Sequence, residues 1–243
     1  MGPARERLGS PMDDEPVMFR DRADAGRRLA ERLLDYRTQD PVVLALPRGG
    51  VPVGFEIAEA LQAPLDLVLV RKIGVPWQPE LAAGAVADGD QPSLAVNRDV
   101  LDALGIDDAY MQMEARRQLA EIERRRALYL AGRPPVPLAG KTAIVVDDGI
   151  ATGATVEAAL GAVRRRAPRR VILAVPVAAP DTLARLRALV DEIVCLATPS
   201  DFGAIGVFYK RFTQLDDDAV TDLLRRAHAA RERPAAPEGS PGA

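Results

Sequence analysis

The chain of 243 residues predicts an α/β domain with a central, mainly parallel sheet flanked by helices. Three observations carry this expectation. Five short runs are almost continuously apolar, Val42–Leu46, Leu65–Val70, Thr142–Val146, Val171–Val177 and Ile193–Ala197, as strands covered on both faces must be. Stretches with apolar residues at helical spacing lie between them. Three of the segments that follow these runs combine Gly, Thr and charged residues, and ligands of such sheets bind at the carboxyl ends of the strands.

The elements are expected as follows. Residues 1–16 are polar, carry Pro, Gly and Asp, and read as a disordered tail. Phe19–Tyr36 places Ala25, Leu29, Leu33 and Tyr36 on one helical face. The Val42–Leu46 strand stops at Pro47-Arg48-Gly49-Gly50, and a helix is expected over Val53–Leu61. Leu65–Val70 is the second strand. Ile73–Gln91 is rich in Gly and Pro and reads as a loop, with short strands near Ala83–Ala87 and Leu94–Val96. Asp107–Leu130 is a long amphipathic helix. The strand Thr142–Val146 delivers an acidic pair, and a helix is expected over Thr155–Arg166. Val171–Val177, Asp181–Val190 and Ile193–Ala197 continue the strand–helix–strand alternation. Residues 199–213 read as irregular and aromatic, Asp217–Ala230 as the last helix, and 232–243 as a second disordered tail.

Composition narrows the chemistry. Apolar residues make up 48% of the chain, enough for a packed core. With 32 basic against 35 acidic residues there is no basic excess of the kind nucleic-acid binders show. Two arginine clusters, Arg124–Arg126 and Arg164–Arg166 with Arg169 and Arg170, read as solvated helix faces. No apolar stretch approaches bilayer-spanning length, and no secretory signal is visible. No nucleic-acid or membrane partner and a cytoplasmic location are therefore expected. The single Cys195 sits in an apolar run and reads as a buried strand thiol. One distal His228 cannot supply a histidine triad or a histidine metal cluster.

The most informative segment is Val145-Val146-Asp147-Asp148-Gly149-Ile150-Ala151-Thr152-Gly153-Ala154-Thr155. An apolar strand ends in two carboxylates, and a small-residue loop then opens a helix. Backbone N–H groups at a helix N-terminus, joined by threonine hydroxyls, suit a sugar phosphate. The acids suit vicinal hydroxyls or a divalent cation. The glycine spacing fits neither a Walker A loop nor a dinucleotide fingerprint. Two further loops carry cations: Leu46-Pro47-Arg48-Gly49-Gly50 and Val70-Arg71-Lys72-Ile73-Gly74.

The Asp147–Thr155 segment resembles the 5-phosphoribosyl-1-pyrophosphate (PRPP) motif of type I phosphoribosyltransferases. The resemblance covers roughly residues 19–213 and is nearest a group with Leu-Pro-Arg-Gly-Gly-Val-Pro, Val-Arg-Lys-x-Gly and Pro-Glu-Leu-Ala-x-Gly-Ala. It implies one domain over 17–231, with a hood from about 17–38 and 199–231. It implies that Asp147 and Asp148 bind the ribose hydroxyls and, directly or through water, Mg²⁺. Gly149, Ile150, Ala151, Thr152, Gly153, Ala154 and Thr155 then hold the 5-phosphate. Arg48, Gly49 and Gly50 form the pyrophosphate loop, with a cis peptide expected at Pro47–Arg48. Arg48, Arg71 and Lys72 are the implied catalytic cations. Pro76–Leu81 reads as part of a closing loop, in which Glu80 is either a ligand contact or a surface carboxylate. Phe202, Tyr209 and Phe212 are base-stacking candidates, the other reading being a small satellite core.

The implied activity is Mg²⁺-dependent transfer of the phosphoribosyl group to a nitrogen acceptor, with PRPP and that acceptor as small-molecule partners. A non-catalytic PRPP- or nucleotide-binding regulator on the same fold is the alternative. Hypoxanthine-type members carry an Asp where this chain has Ala151, which points toward an adenine-like purine. Dimers are common in the family, so a homodimer is the assembly to look for.

Overall fold

A computed structural model describes residues 4–8, 18–88 and 93–232. Its main sheet has six strands, all parallel: β1 (Arg5–Leu8), β2 (Pro41–Ala45), β3 (Leu65–Leu67), β7 (Thr142–Val146), β8 (Arg170–Val177) and β9 (Glu192–Ala197). Their order is β1-β9-β8-β7-β2-β3. A second sheet, β4 (Val70–Val75), β5 (Gln78–Ala87) and β6 (Ser93–Val96), is antiparallel.

Strand alternation divides the core in two. Val43, Ala45, Ile144, Val146, Ile172, Ala174 and Val194 face α1 (Arg22–Leu33), α2 (Gly50–Leu61) and α7 (Asp217–Glu232). Val42, Leu44, Ala143, Val145, Val171, Leu173 and Ile193 face α5 (Ala154–Arg165) and α6 (Pro180–Leu186). Every second side chain points to the same face of a strand, so continuously apolar strands feed both layers. Cys195 is buried among the second set, and desolvation pushes its thiol up to about 12.

The structure departs from the sequence expectation in five places. Residues 5–8 are not loose but form edge strand β1, paired with β9. Arg7 holds it there through the buried Glu192, Nε to Oε1, at 2.9 Å. The other residues of the expected tails, save 4 and 232, lie outside the described residues. The apolar run 65–70 is not one strand. It leaves the main sheet after Leu67 and enters the antiparallel sheet at Val70. The expected loop 73–91 is largely a ribbon, with β4 and β5 joined by a turn at Pro76–Trp77. The Glu80 side chain lies outside what is described. A further helix, α3 (Arg98–Leu104), precedes α4 (Asp108–Leu130).

Finally, the arginine clusters are not simply solvated. Arg126 bridges the buried Asp66 at 3.6 Å and Asp88, with its own side chain only 20% exposed. Arg166 Nη2 donates to Val136 O at 2.6 Å, and Arg164 Nη2 pairs with Asp191 at 2.9 Å. These guanidiniums satisfy carbonyls and carboxylates inside the structure, which charge patterning along a helix does not reveal. Among the described residues no helix is long and apolar enough to cross a membrane.

Candidate active site

β2 and β7 are adjacent interior strands of the main sheet, so the segments leaving them are forced together. Leu46 N–H donates to Val146 O at 2.9 Å. A side chain at Gly50 would meet that same carbonyl at 2.6 Å. At Gly49 it would run into the Asp148 carboxylate, 2.1 Å from Oδ2. Two glycines thus let the Arg48 loop lie directly on the acidic pair. The Pro47–Arg48 peptide between strand and glycines is cis.

The pair itself is asymmetric. Asp147 is half-buried and its Oδ1 accepts the Asp148 N–H at 2.8 Å. Desolvation by the surrounding chain, then the neighbouring Asp148, push its carboxyl well above the usual carboxylate range. Asp148 is 8% exposed and its Oδ2 takes the Arg22 Nε at 2.6 Å.

The loop then turns into α5. Gly153 stands at φ +79° just before the helix, a conformation that favours glycine. A Cβ there would also meet Thr182 at 2.5 Å. The loop carbonyls are tied down, Ala151 O by the Thr182 hydroxyl and Thr152 O by Arg185. The first N–H groups of a helix have no partner within it. Ala151, Thr152, Ala154 and Thr155 are exposed here. The arrangement is a stiff loop presenting N–H groups and two hydroxyls to solvent at the positive end of a helix.

Three cavities share these loops. One of about 340 Å³ is lined by Arg48, Gly49 and Asp148 with Arg22, Phe212 and Thr213. A small one of about 30 Å³ brings Pro47, Arg71 and Thr155 together with Arg125. The largest, about 630 Å³, lies between the antiparallel sheet and α5, and Lys72, Ala154 and Thr155 contribute to it. Arg71 and Lys72, adjacent on β4, point to opposite faces and so line different cavities. Arg71 is positioned by Gln118 of α4, Nε to Oε1 at 2.9 Å.

The aromatic cluster divides. Tyr209 is buried, stacks on Phe212 at 5.0 Å and donates its hydroxyl to Asp148 O at 2.6 Å. Phe202 is half-buried against Phe208 and the small core around Phe19 and Val177. Phe212 is the most open of the three, at 38% exposure, with the Arg22 guanidinium 3.8 Å above its ring.

Sequence reasoning missed Arg22, Asp217 and Tyr129. Asp217, at the start of α7, lies 3.9 Å from Arg48 and accepts the Tyr129 hydroxyl at 2.5 Å. All are contacts between segments distant in the chain. Nothing in the local sequence around Arg22, Asp217 or Tyr129 marks these partners. Among the described residues no cluster of three or more His, Cys, Asp or Glu side chains is placed to hold a metal.

A protein of Mycobacterium tuberculosis carrying the name "Putative phosphoribosyl transferase" is 50% identical over 211 residues, 87% of this chain. The chain spans 47% of that relative's length. The crystal structure of TT1426 from Thermus thermophilus matches with a TM-score of 0.75 and 44% identity, over 86% of this chain and 98% of that one. Residues 19–210 match the phosphoribosyl transferase domain family. That match takes in both central strands, the glycines between them and the acid loop, and the chain therefore belongs to this family.

Proposed function

We propose that the chain binds PRPP and transfers its 5-phosphoribosyl group to a nitrogen acceptor, releasing pyrophosphate. The observation that carries the reading is the close approach of Gly49 to Asp148: the cationic glycine loop and the second acid of the pair line one cavity. In this reading the exposed Ala151, Thr152, Ala154 and Thr155, with the buried Gly153 between them, turn N–H groups and two hydroxyls to the 5-phosphate, whereas the Ile150 N–H is already donated to Val177 O at 2.9 Å and serves the loop rather than the ligand. Asp147 and Asp148 accept the ribose hydroxyls. Gly49 and Gly50 let backbone approach the diphosphate, and Arg48 and Arg71 neutralise it. Lys72 joins them if the β4–β5 ribbon closes. The C1–oxygen bond to the diphosphate breaks, and the acceptor nitrogen attacks the oxocarbenium-like carbon from the other side of the ribose.

Mg²⁺ is ordinarily held by one or two carboxylates together with substrate phosphates and waters. Asp147 fits that role, because the crowding that raises its carboxyl is what a nearby cation relieves. When bound, the ion would neutralise charge on the diphosphate. An adenine-like purine is the proposed acceptor, resting on Ala151 and on the Arg71-Lys72 pair.

The test is Mg²⁺-dependent pyrophosphate release from PRPP, across a panel of purines, pyrimidines and small amines. Release with one acceptor class supports the reading and identifies the acceptor. PRPP binding without turnover across the panel assigns a regulator instead. Absence of PRPP binding overturns both.

A further inference from the structure

We propose that Arg22 is a positioning residue of the ribose site: it fixes the Asp148 carboxylate and cancels its charge where the polyanionic substrate arrives. The inference rests on the PRPP reading above. Arg22 is the first residue of α1, and a single guanidinium there makes three contacts. Its Nε meets Asp148 Oδ2 at 2.6 Å, its Nη1 donates to Thr213 O at 2.8 Å, and its plane covers Phe212 at 3.8 Å. The two charged side chains are only 11% and 12% exposed, so water screens the pair weakly.

The surroundings hold both partners in place. Asp21, which caps α1, pairs with Arg211 at 2.8 Å, and Phe19 N–H donates to Phe208 O at 2.8 Å. These contacts clamp the start of α1 to the segment carrying Phe212 and Thr213. On its other side the Asp148 carboxylate abuts Gly49. With Oδ2 taken by Arg22, Oδ1 is the oxygen left to accept a ribose hydroxyl.

Two adjacent carboxylates are a poor reception for a diphosphate. Without Arg22 the site would carry an extra unit of uncompensated negative charge in a water-poor pocket. Arg22 thus makes an acidic pair compatible with an anionic substrate. Lysine cannot replace it, since one ammonium cannot serve Asp148, Thr213 O and the ring of Phe212 in a single planar geometry.

The experiment is calorimetric titration of the full chain with PRPP and Mg²⁺, comparing wild type, Arg22→Gln, Arg22→Lys, Asp148→Asn and the Arg22→Gln/Asp148→Asn double variant. Arg22→Gln is expected to bind about tenfold more weakly or worse. Arg22→Lys should fall between it and wild type, and the double variant should match Asp148→Asn. Unchanged or tighter binding by Arg22→Gln overturns the proposal, making Arg22 a plug that substrate displaces. An equal further loss in the Asp148→Asn background also overturns it, since Arg22 would then act without Asp148. Should Arg22→Gln fail to fold, Arg22→Lys decides, and wild-type affinity there refutes the proposal. If wild type itself does not bind PRPP, the functional reading fails, an outcome distinct from loss of the Arg22 effect alone.

Discussion

Gly49→Ala isolates the contact on which the site depends. Gly49 has φ −60° and ψ −38°, helical values that alanine adopts freely, so backbone conformation does not require glycine here. The requirement is space. A Cβ would lie 2.1 Å from Asp148 Oδ2, 2.4 Å from Cγ and 2.7 Å from Oδ1. Ordinary contact begins near 3.4 Å, so the carboxylate must withdraw by 3.4 − 2.1 = 1.3 Å. It cannot do so and keep its 2.6 Å pairing with Arg22, because Arg22 is itself held by Thr213 and Phe212. Overpacking of this kind costs about 1–3 kcal/mol, and weakening a mostly buried pair brings the total to roughly 2–4 kcal/mol. Urea denaturation of the ligand-free chain measures it. In an Asp148→Ala background the cost of Gly49→Ala should largely vanish, since all three clashing atoms are gone. A change below about 0.5 kcal/mol, the range of neutral surface changes, or an equal cost in both backgrounds, would refute the steric argument.

Three further outcomes are expected. Tyr209→Phe removes the hydroxyl that satisfies Asp148 O and should destabilise by about 1–3 kcal/mol in the same denaturation assay; no change would mean the carbonyl finds another donor. Arg126→Ala leaves Asp66 and Asp88 without their shared cation and should cost about 3–5 kcal/mol, whereas Arg117→Ala, on the exposed face of α4, should be near neutral. Burial and Glu192 push the Tyr36 phenol up to about 12, and burial and Asp217 do the same for Tyr129. The unfolded chain loses these protons near pH 10 while the fold retains them, so this contribution is intact below pH 10 and is lost as pH rises toward 12. Urea midpoints should fall over that window and fall less in Tyr36→Phe; an unchanged slope would count against the assignment.

The parallel sheet was legible because continuously apolar strands and amphipathic helices are local patterns, and Thr142–Val146 agrees residue for residue. β1 was not, because Arg5-Glu6-Arg7 looks like tail until Arg7 meets Glu192, 185 residues on. The break after Leu67 was hidden in an apolar run: Asp66 is buried there, its charge met by Arg126 and its oxygens by the N–H groups of Leu67 and Val136. α3 did carry signals, Asn97 as cap and Gly105 at φ +64° after its last turn, outweighed by its charged sequence. In the site, motif residues were readable because their spacing mirrors a strand, a turn and a helix. Arg22 was not, since its meaning depends on Asp148, 126 residues away.

The clasp of residues 19–22 with 208–213 sets an order in time. The last strand of the main sheet is complete at Ala197. Tyr209, which anchors the acid loop, and Phe212 and Thr213, which hold Arg22, are synthesised only afterwards. A ribosome therefore finishes every described strand of both sheets before it has made the residues that steady the carboxylates. Until Thr213 is made, the acidic pair exists without its clasp, although the two strands that carry the site are already complete.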